Sequence, residues 1–373
     1  MPLSVVVIGA GVVGCAAAFR LAKAGTRVTL VDRAPPGTGT SANSFAWVNA
    51  NRKGPRPYFR LNFESMAAHR RLVADVREIV GEAEWLHEGG GLEWTDTEAG
   101  RERLLRNAAR QKSWGYAIDV IDESDVRRLE PHLRTDGLTA ATYSPDEAWV
   151  DGPLFCRSVA AAAQRLGAAA RLGEEVAAIV RDGDRVTGVR LAGGDVLQAD
   201  HVLIAAGRWT DRVAALAGVR VPLAPTSGLL AVTSAISGGV GRVVYAPGMN
   251  FRPDPSGGLV LQSSETDAMV SADTPPDPAH PGCALLIERV KRFLPAAAHA
   301  TIAAARVGTR PLPADGLSIV GPVAQRPGLT LAVTHSGITL APLFGELLAA
   351  ELATGQPDER LTDFRPSRCV TVD

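Results

Sequence analysis

Lysine is almost missing from this chain: Lys23, Lys53, Lys112 and Lys291 stand against 35 arginines among 373 residues. That imbalance is the mark of a GC-rich coding background, so an arginine cluster carries less information here than usual. Cysteine is equally scarce. Cys15, Cys156, Cys283 and Cys369 lie far apart, with no CxxC and no histidine at ligand spacing, so neither a metal site nor a disulfide framework is expected. Charge of one sign is not in excess either, since 39 basic residues face 40 acidic ones. Nothing in the bulk charge therefore points to nucleic acid. No uninterrupted apolar run approaches membrane-spanning length, and Met1 leads into an apolar strand without a basic leader or cleavage site. The expectation is a cytoplasmic protein with no membrane span. At 46% hydrophobic the chain can bury a large core and build two joined domains, with a small molecule as the default substrate.

The first 32 residues read as strand, helix, strand. Residues 5–8 are a β-branched run ending at glycine, 12–24 read as a helix closed by Gly25, and 27–31 form a second strand ending at Asp32. The spacing of Leu61, Met66, Leu72, Val76 and Ile79 predicts an amphipathic helix over 61–80, and 98–114 reads as another. Between them, Gly89, Gly90 and Gly91 mark a turn before a short strand at 92–94. The alternating rhythm returns with a helix at 154–166, a strand at 175–180, a hairpin of 186–191 with 196–199, and an apolar strand at 202–206 that stops at Gly207. Residues 222–305 read as strands and loops, with Pro275, Pro276, Pro278 and Pro281 in a surface loop. A strand at 329–333 and a helix from Ile338 close the chain. The fold class is thus α/β (α+β): a Rossmann-like nucleotide domain of 1–62, 146–221 and 306–373, interleaved with a smaller antiparallel-sheet domain of 63–145 and 222–305.

Gly9, Gly11 and Gly14 form GxGxxG between the first strand and helix, and Asp32 follows 18 residues after the last of them. The glycines permit a tight turn, close approach of a pyrophosphate and close helix packing. The helix N-terminus at Val12 and Val13 offers N–H groups to phosphate, while Asp32, followed by Arg33, can accept from ribose hydroxyls. The fingerprint does not separate NAD from FAD. The next segment, GTGTSANSFAWVNA over 37–50, bears on that choice: a run of small and hydroxyl residues can lie along an extended cofactor, offering Thr40, Ser41 and backbone groups, although it also reads as an ordinary polar loop.

Five segments together, GAGVVG with Asp32, GTSANSFAW, ADHVLIAAGRW, GTRPLPADGLSIVGP and HSGITLAP, resemble the FAD-dependent D-amino acid oxidase superfamily, which includes glycine oxidase, sarcosine oxidase and D-amino acid dehydrogenases. The resemblance spans nearly the whole chain. It implies FAD as cofactor and removal of a hydride from the α-carbon of a small amine, with a D-amino acid or glycine as substrate. The alternatives are an N-methyl or cyclic secondary amine, a 2-hydroxy acid, or a flavin-binding redox sensor or subunit without turnover. Oxygen or another electron acceptor completes the cycle, and a homo-oligomer stays open.

By position in the resemblance, Val176 meets the adenine, Ala206, Gly207 and Trp209 pass the cofactor, Ala46 and Trp47 line the segment beside it, and Gly337, Ile338 and Thr339 set a helix N-terminus at the flavin pyrimidine. Arg310 takes the place that binds the substrate carboxylate, a role suited to its planar fork, with a structural salt bridge to Asp315 as the alternative. Two departures stand out. Asn250 occupies the place of a substrate-contacting tyrosine, and His335 falls near a second active-site arginine, where it contacts substrate or flavin or is structural. Gly308 takes the place of the cysteine that tethers flavin in monomeric sarcosine oxidase, so the FAD is expected to be non-covalent. Val260 takes the place of that enzyme's oxygen-activating lysine.

Overall fold

A computed structural model describes residues 2–373. Two sheets organise it. The first has six strands in the order Ile319–Pro322, Leu329–Val333, His201–Ile204, Ser4–Ile8, Arg27–Asp32 and Ala169–Leu172, all parallel except the first. Its central strand, Ser4–Ile8, is buried throughout, which is why it reads as a continuous apolar run. Helices Val12–Lys23, Gly152–Arg165 and Gly337–Thr354 pack together over one face, and the 25-residue helix Arg56–Val80 lies against the last two. Helix Gly337–Thr354 has the length and apolarity of a membrane span, yet 61% of it is buried inside the protein, so its apolar surface is already used. The other face carries the three-stranded sheet Val176–Asp182, Arg185–Leu191, Val196–Gln198 and the short helix Thr210–Ala215.

The second sheet has eight strands in the order Ile302–Arg310, Thr226–Thr233, Leu259–Gln262, Met249–Pro253, Val243–Ala246, Gly91–Thr95, Ala140–Ser144 and Asp119–Ile121. One face is closed by helix Pro281–Phe293. Cys283, Leu286, Ile287 and Val290 recur at helical spacing and bury against Leu229, Leu259 and Leu261. This helix lies in a stretch read from sequence as strands and loops. Pro281 belongs to its first turn, where a proline costs no hydrogen bond, rather than to the loop. The expected divisions at 62/63 and 305/306 fall inside helix Arg56–Val80 and strand Ile302–Arg310. The edge of the eight-stranded sheet meets the first layer where Thr309 accepts from Thr40 and Gly308 packs on Asn43.

Candidate active site

A cavity of about 540 Å³ runs from Glu174 and Val176 past the first βα turn to Pro311 and His335. Gly9 holds φ of +110°, and a Cβ on Gly14 would stand 1.8 Å from the Gly9 carbonyl oxygen, so neither position accepts a side chain without backbone movement. Helix Val12–Lys23 begins at Gly11 without a side-chain cap, and only the Val12 N–H meets a side chain, Ser41 Oγ at 3.2 Å. First-turn N–H groups facing a cavity form an anion site. Asp32 accepts from the backbone N–H of Ala10 (2.6 Å) and Ala34 (2.9 Å), which fixes its carboxylate while leaving lone pairs for ribose hydroxyls. At the far end, Gly337 and Ile338 line the cavity at a second uncapped helix start. An anion site in the middle, a fixed acid near one end and a positive helix terminus at the other fit FAD.

The cavity wall contains Gly9, Gly11, Val12, Val13, Asp32, Arg33, Thr40, Ser41, Val176, Ala206, Gly207, Trp209, Gly337, Ile338 and His335. Trp209 is flanked by Arg33 and Arg208, whose guanidinium carbons lie 4.5 and 4.1 Å from its ring centroid. The Thr40 hydroxyl donates to the Thr309 carbonyl (2.8 Å), so part of its work is to bind the cofactor segment to the second sheet. The other expected cofactor contacts stand behind the wall. Gly14 packs inside the turn, Gly308 abuts the Asn43 carbonyl, and Thr339 donates to the Trp47 carbonyl. Ala46 turns the chain with φ of +57°. Trp47 points its indole N–H at Glu147 (2.7 Å).

A polar row crosses the eight-stranded sheet. Glu93, Tyr245, Asn250 and Gln262 are direct cross-strand partners in successive strands, so they share one face. Arg52 stacks over Tyr245, 4.0 Å from the ring centroid, and pairs with Glu93. At the other end Arg310 pairs with Asp267 at 2.6 Å. The partner anticipated for a structural role, Asp315, is instead bound to Arg368 at 2.6 Å.

His335 opens into the cavity. Surrounding protein, then the positive charges of Lys53 and Arg310, push its imidazole down to about 4. Water in the open cavity weakens the first cause, but the cations keep the direction, so the ring is neutral at neutral pH. Lys53 Nζ itself donates to Ser336 Oγ (2.9 Å) at the start of helix Gly337–Thr354. Behind Trp47, the fully buried Glu147 accepts from Trp47 and from the Tyr116 hydroxyl (2.7 Å), yet desolvation outweighs both and raises its carboxyl to about 8.

Sequence reasoning missed Asp267, Gln262, Tyr245, Glu93, Arg52, Lys53 and Glu147. Arg52 and Lys53 carried one usable signal, a pair of cations directly after the cofactor segment. Glu93, Tyr245 and Gln262 meet only through strand register, and Asp267 and Glu147 reach their partners from connections between strands; local pattern encodes neither.

The family model described as FAD dependent oxidoreductase matches residues 4–351. Glycine oxidase of Bacillus licheniformis is 27% identical over 375 residues, covering 98% of this chain and 98% of the relative. Glycine oxidase of Pseudomonas aeruginosa is 31% identical over 365 residues, covering 95% of each. The crystal structure of glycine oxidase from Geobacillus kaustophilus matches with a TM-score of 0.87 at 27% identity, covering 97% of each chain.

Proposed function

The chain belongs to the FAD dependent oxidoreductase family and oxidises an amine or amino acid with bound FAD, and we propose that its substrate is a small α-amino acid, glycine or a D-amino acid, whose carboxylate is held by Arg310. The observation that carries this reading is the place of Arg310. It ends the edge strand Ile302–Arg310 immediately before Pro311, a cavity-lining residue, and its positive charge reaches His335 at the flavin end. Bound FAD supplies the two-electron oxidant that accepts the α-hydride.

The residues of the chain supply positioning and electrostatics. Arg310 gives one nitrogen to Asp267, and its remaining N–H groups are available to a carboxylate. The cations that depress His335 act in the same sense on a substrate ammonium, favouring the neutral amine that can lose hydride. Loss of that hydride and a proton leaves an imine, which water hydrolyses to the oxo acid and ammonia. Neutral His335 can accept or donate one hydrogen bond but carries no charge into the step. The direct test is anaerobic mixing of the holoenzyme with glycine, D- and L-amino acids, N-methyl and cyclic amino acids and amines without a carboxylate, followed at the flavin absorption band. Fastest bleaching by glycine or a D-amino acid is the expected result. Fastest bleaching by an amine lacking a carboxylate would overturn it.

A further inference from the structure

We infer that His69 is a positioning residue for the flavin: it donates to the Ile338 carbonyl that Pro342 leaves without a helical partner, and so holds the helix start that lines the flavin end of the cavity. The inference needs bound FAD and is independent of which amine is oxidised. It begins inside helix Gly337–Thr354, which Pro342 interrupts. In a regular helix the N–H of residue 342 would serve the carbonyl of residue 338. Proline has no N–H and its ring crowds that same carbonyl, so Ile338 loses its partner four residues on. Ile338 is buried, where an unpaired carbonyl is unfavourable. His69 supplies what is missing, with its Nε2 3.0 Å from the Ile338 oxygen. A carbonyl only accepts, so the proton sits on Nε2 and Nδ1 is bare; Nδ1 has no hydrogen-bond partner among the described residues.

The neighbouring bonds carry the same mark. Ser65, one turn earlier on helix Arg56–Val80, donates to the Thr339 carbonyl (2.6 Å) and accepts from the Leu343 N–H (3.4 Å). Tyr58 donates to Ser336 Oγ at 2.8 Å. Tyr58, Ser65 and His69 are spaced by seven and four, which puts all three on one face of their helix, and all three are buried. Beyond Pro342 the helix body is fixed separately. Gly345 lets it approach helix Val12–Lys23 so closely that a Cβ would stand 2.7 Å from the Ala16 carbonyl oxygen. The bonds from His69 and Ser65 thus act chiefly on the first turn. Gly337 and Ile338 of that turn line the cavity, and the helix start there has no side-chain cap. Its free N–H groups favour negative charge, and so favour the reduced state of a flavin beside them. The placing of this turn therefore bears on the flavin potential, although His69 itself does not line the cavity.

The test measures the midpoint potential of the FAD-loaded protein by anaerobic dye equilibration, with backbone hydrogen exchange of the segment 336–343 as a second readout. His69→Leu should lower the potential by about 30 mV, a tenfold shift of the two-electron equilibrium on the scale of a partly buried helix terminus, and should speed exchange. His69→Gln, which keeps an N–H donor, should hold both near the wild-type values. His69 also packs edge-on against Phe155, with ring centroids 6.2 Å apart, so leucine changes packing as well. Pro342→Ala separates the two causes. It returns an N–H to residue 342, so adding His69→Leu to that variant should leave its potential and exchange unchanged. A potential or exchange rate that His69→Leu does not move, a fall that persists in full with alanine at 342, or glutamine failing as completely as leucine overturns the inference. If His69→Leu alone does not fold, a folded double variant supports the inference and an unfolded one overturns it.

Discussion

Arg310 was legible as a candidate from its GTRP context, but its partner was not, because Asp267 approaches it from a different strand connection 43 residues away. The pairing sharpens what substitution should do. A bidentate carboxylate contact in a partly dry site contributes about 1.5–3 kcal/mol. Arg310→Lys is therefore expected to raise the Michaelis constant for the best amino acid by roughly ten- to a hundredfold, because a single ammonium already attracted to Asp267 cannot also reproduce the fork. FAD content should not change, and turnover of amines lacking a carboxylate should hardly respond. An unaltered Michaelis constant would assign Arg310 a structural role. At Val260 the side chain is completely buried with Leu230, Val232 and Phe45. No cation occupies that position, and slow reoxidation by oxygen is the expected consequence. Hydrogen peroxide formation that keeps pace with an artificial acceptor in air-saturated buffer would count against it.

Among the elements, the first βα turn makes the sharpest prediction. Adding one methyl at Gly14 collides with the Gly9 carbonyl at 1.8 Å, so Gly14→Ala must displace the turn that carries the anion site. The variant should fold with most of its FAD lost, visible as a low ratio of flavin to protein absorbance after dialysis. Gly25→Ala serves as the comparison. Its φ of +80° makes an alanine unfavourable by about 1–2 kcal/mol, but the space around it is open, so stability should fall while FAD stays bound. Retention of full flavin by Gly14→Ala would show that the turn tolerates rearrangement. This turn was fully readable because strand, glycines, helix and acid lie within 32 consecutive residues. Helix Pro281–Phe293 was not, since its proline-rich approach carries the same local signal as a surface loop and only packing on the sheet decides in favour of a helix.

For the whole molecule, two buried groups shape stability against pH. Glu147, raised to about 8, favours folding in its protonated form, so its contribution is complete below the unfolded value of about 4.3 and is lost as pH rises toward 8. His69, fully buried with Nε2 3.0 Å from the Ile338 carbonyl oxygen, is lowered to about 4 by desolvation. Its contribution is present above about 6.5 and is lost as pH falls toward 4. Between those unfolded values the two slopes oppose each other, whereas from about 6.5 to 8 Glu147 acts alone, at up to roughly 1.4 kcal/mol per pH unit. Glu147→Gln should flatten thermal stability across that upper window, and a variant whose curve runs parallel to the wild type would refute the assignment. The attachment of the cofactor is a second property of the whole fold. Among the described residues no cysteine lines the cavity, and Gly308 packs on Asn43. Acid denaturation should release yellow flavin into the supernatant, and colour retained by the precipitate would reveal a covalent link.

The sequence alone determined the nucleotide-binding half, because its signals are local: buried parallel strands read as apolar runs, and the phosphate site needs glycines at fixed spacing on one turn. The same locality placed Asp32 and the helix starts at Val12 and near Ile338. Tertiary structure decided the polar row on the second sheet. Glu93, Tyr245, Asn250 and Gln262 come from four strands that become neighbours only when the eight-stranded sheet sets its register, and a slip of one residue would turn each of them to the opposite face. The direction of the Asn250 amide depends on a carboxylate two hydrogen bonds away, and the charge states of Glu147 and His335 depend on what surrounds them. Those are properties of neighbours in space, and the order of residues along the chain does not contain them.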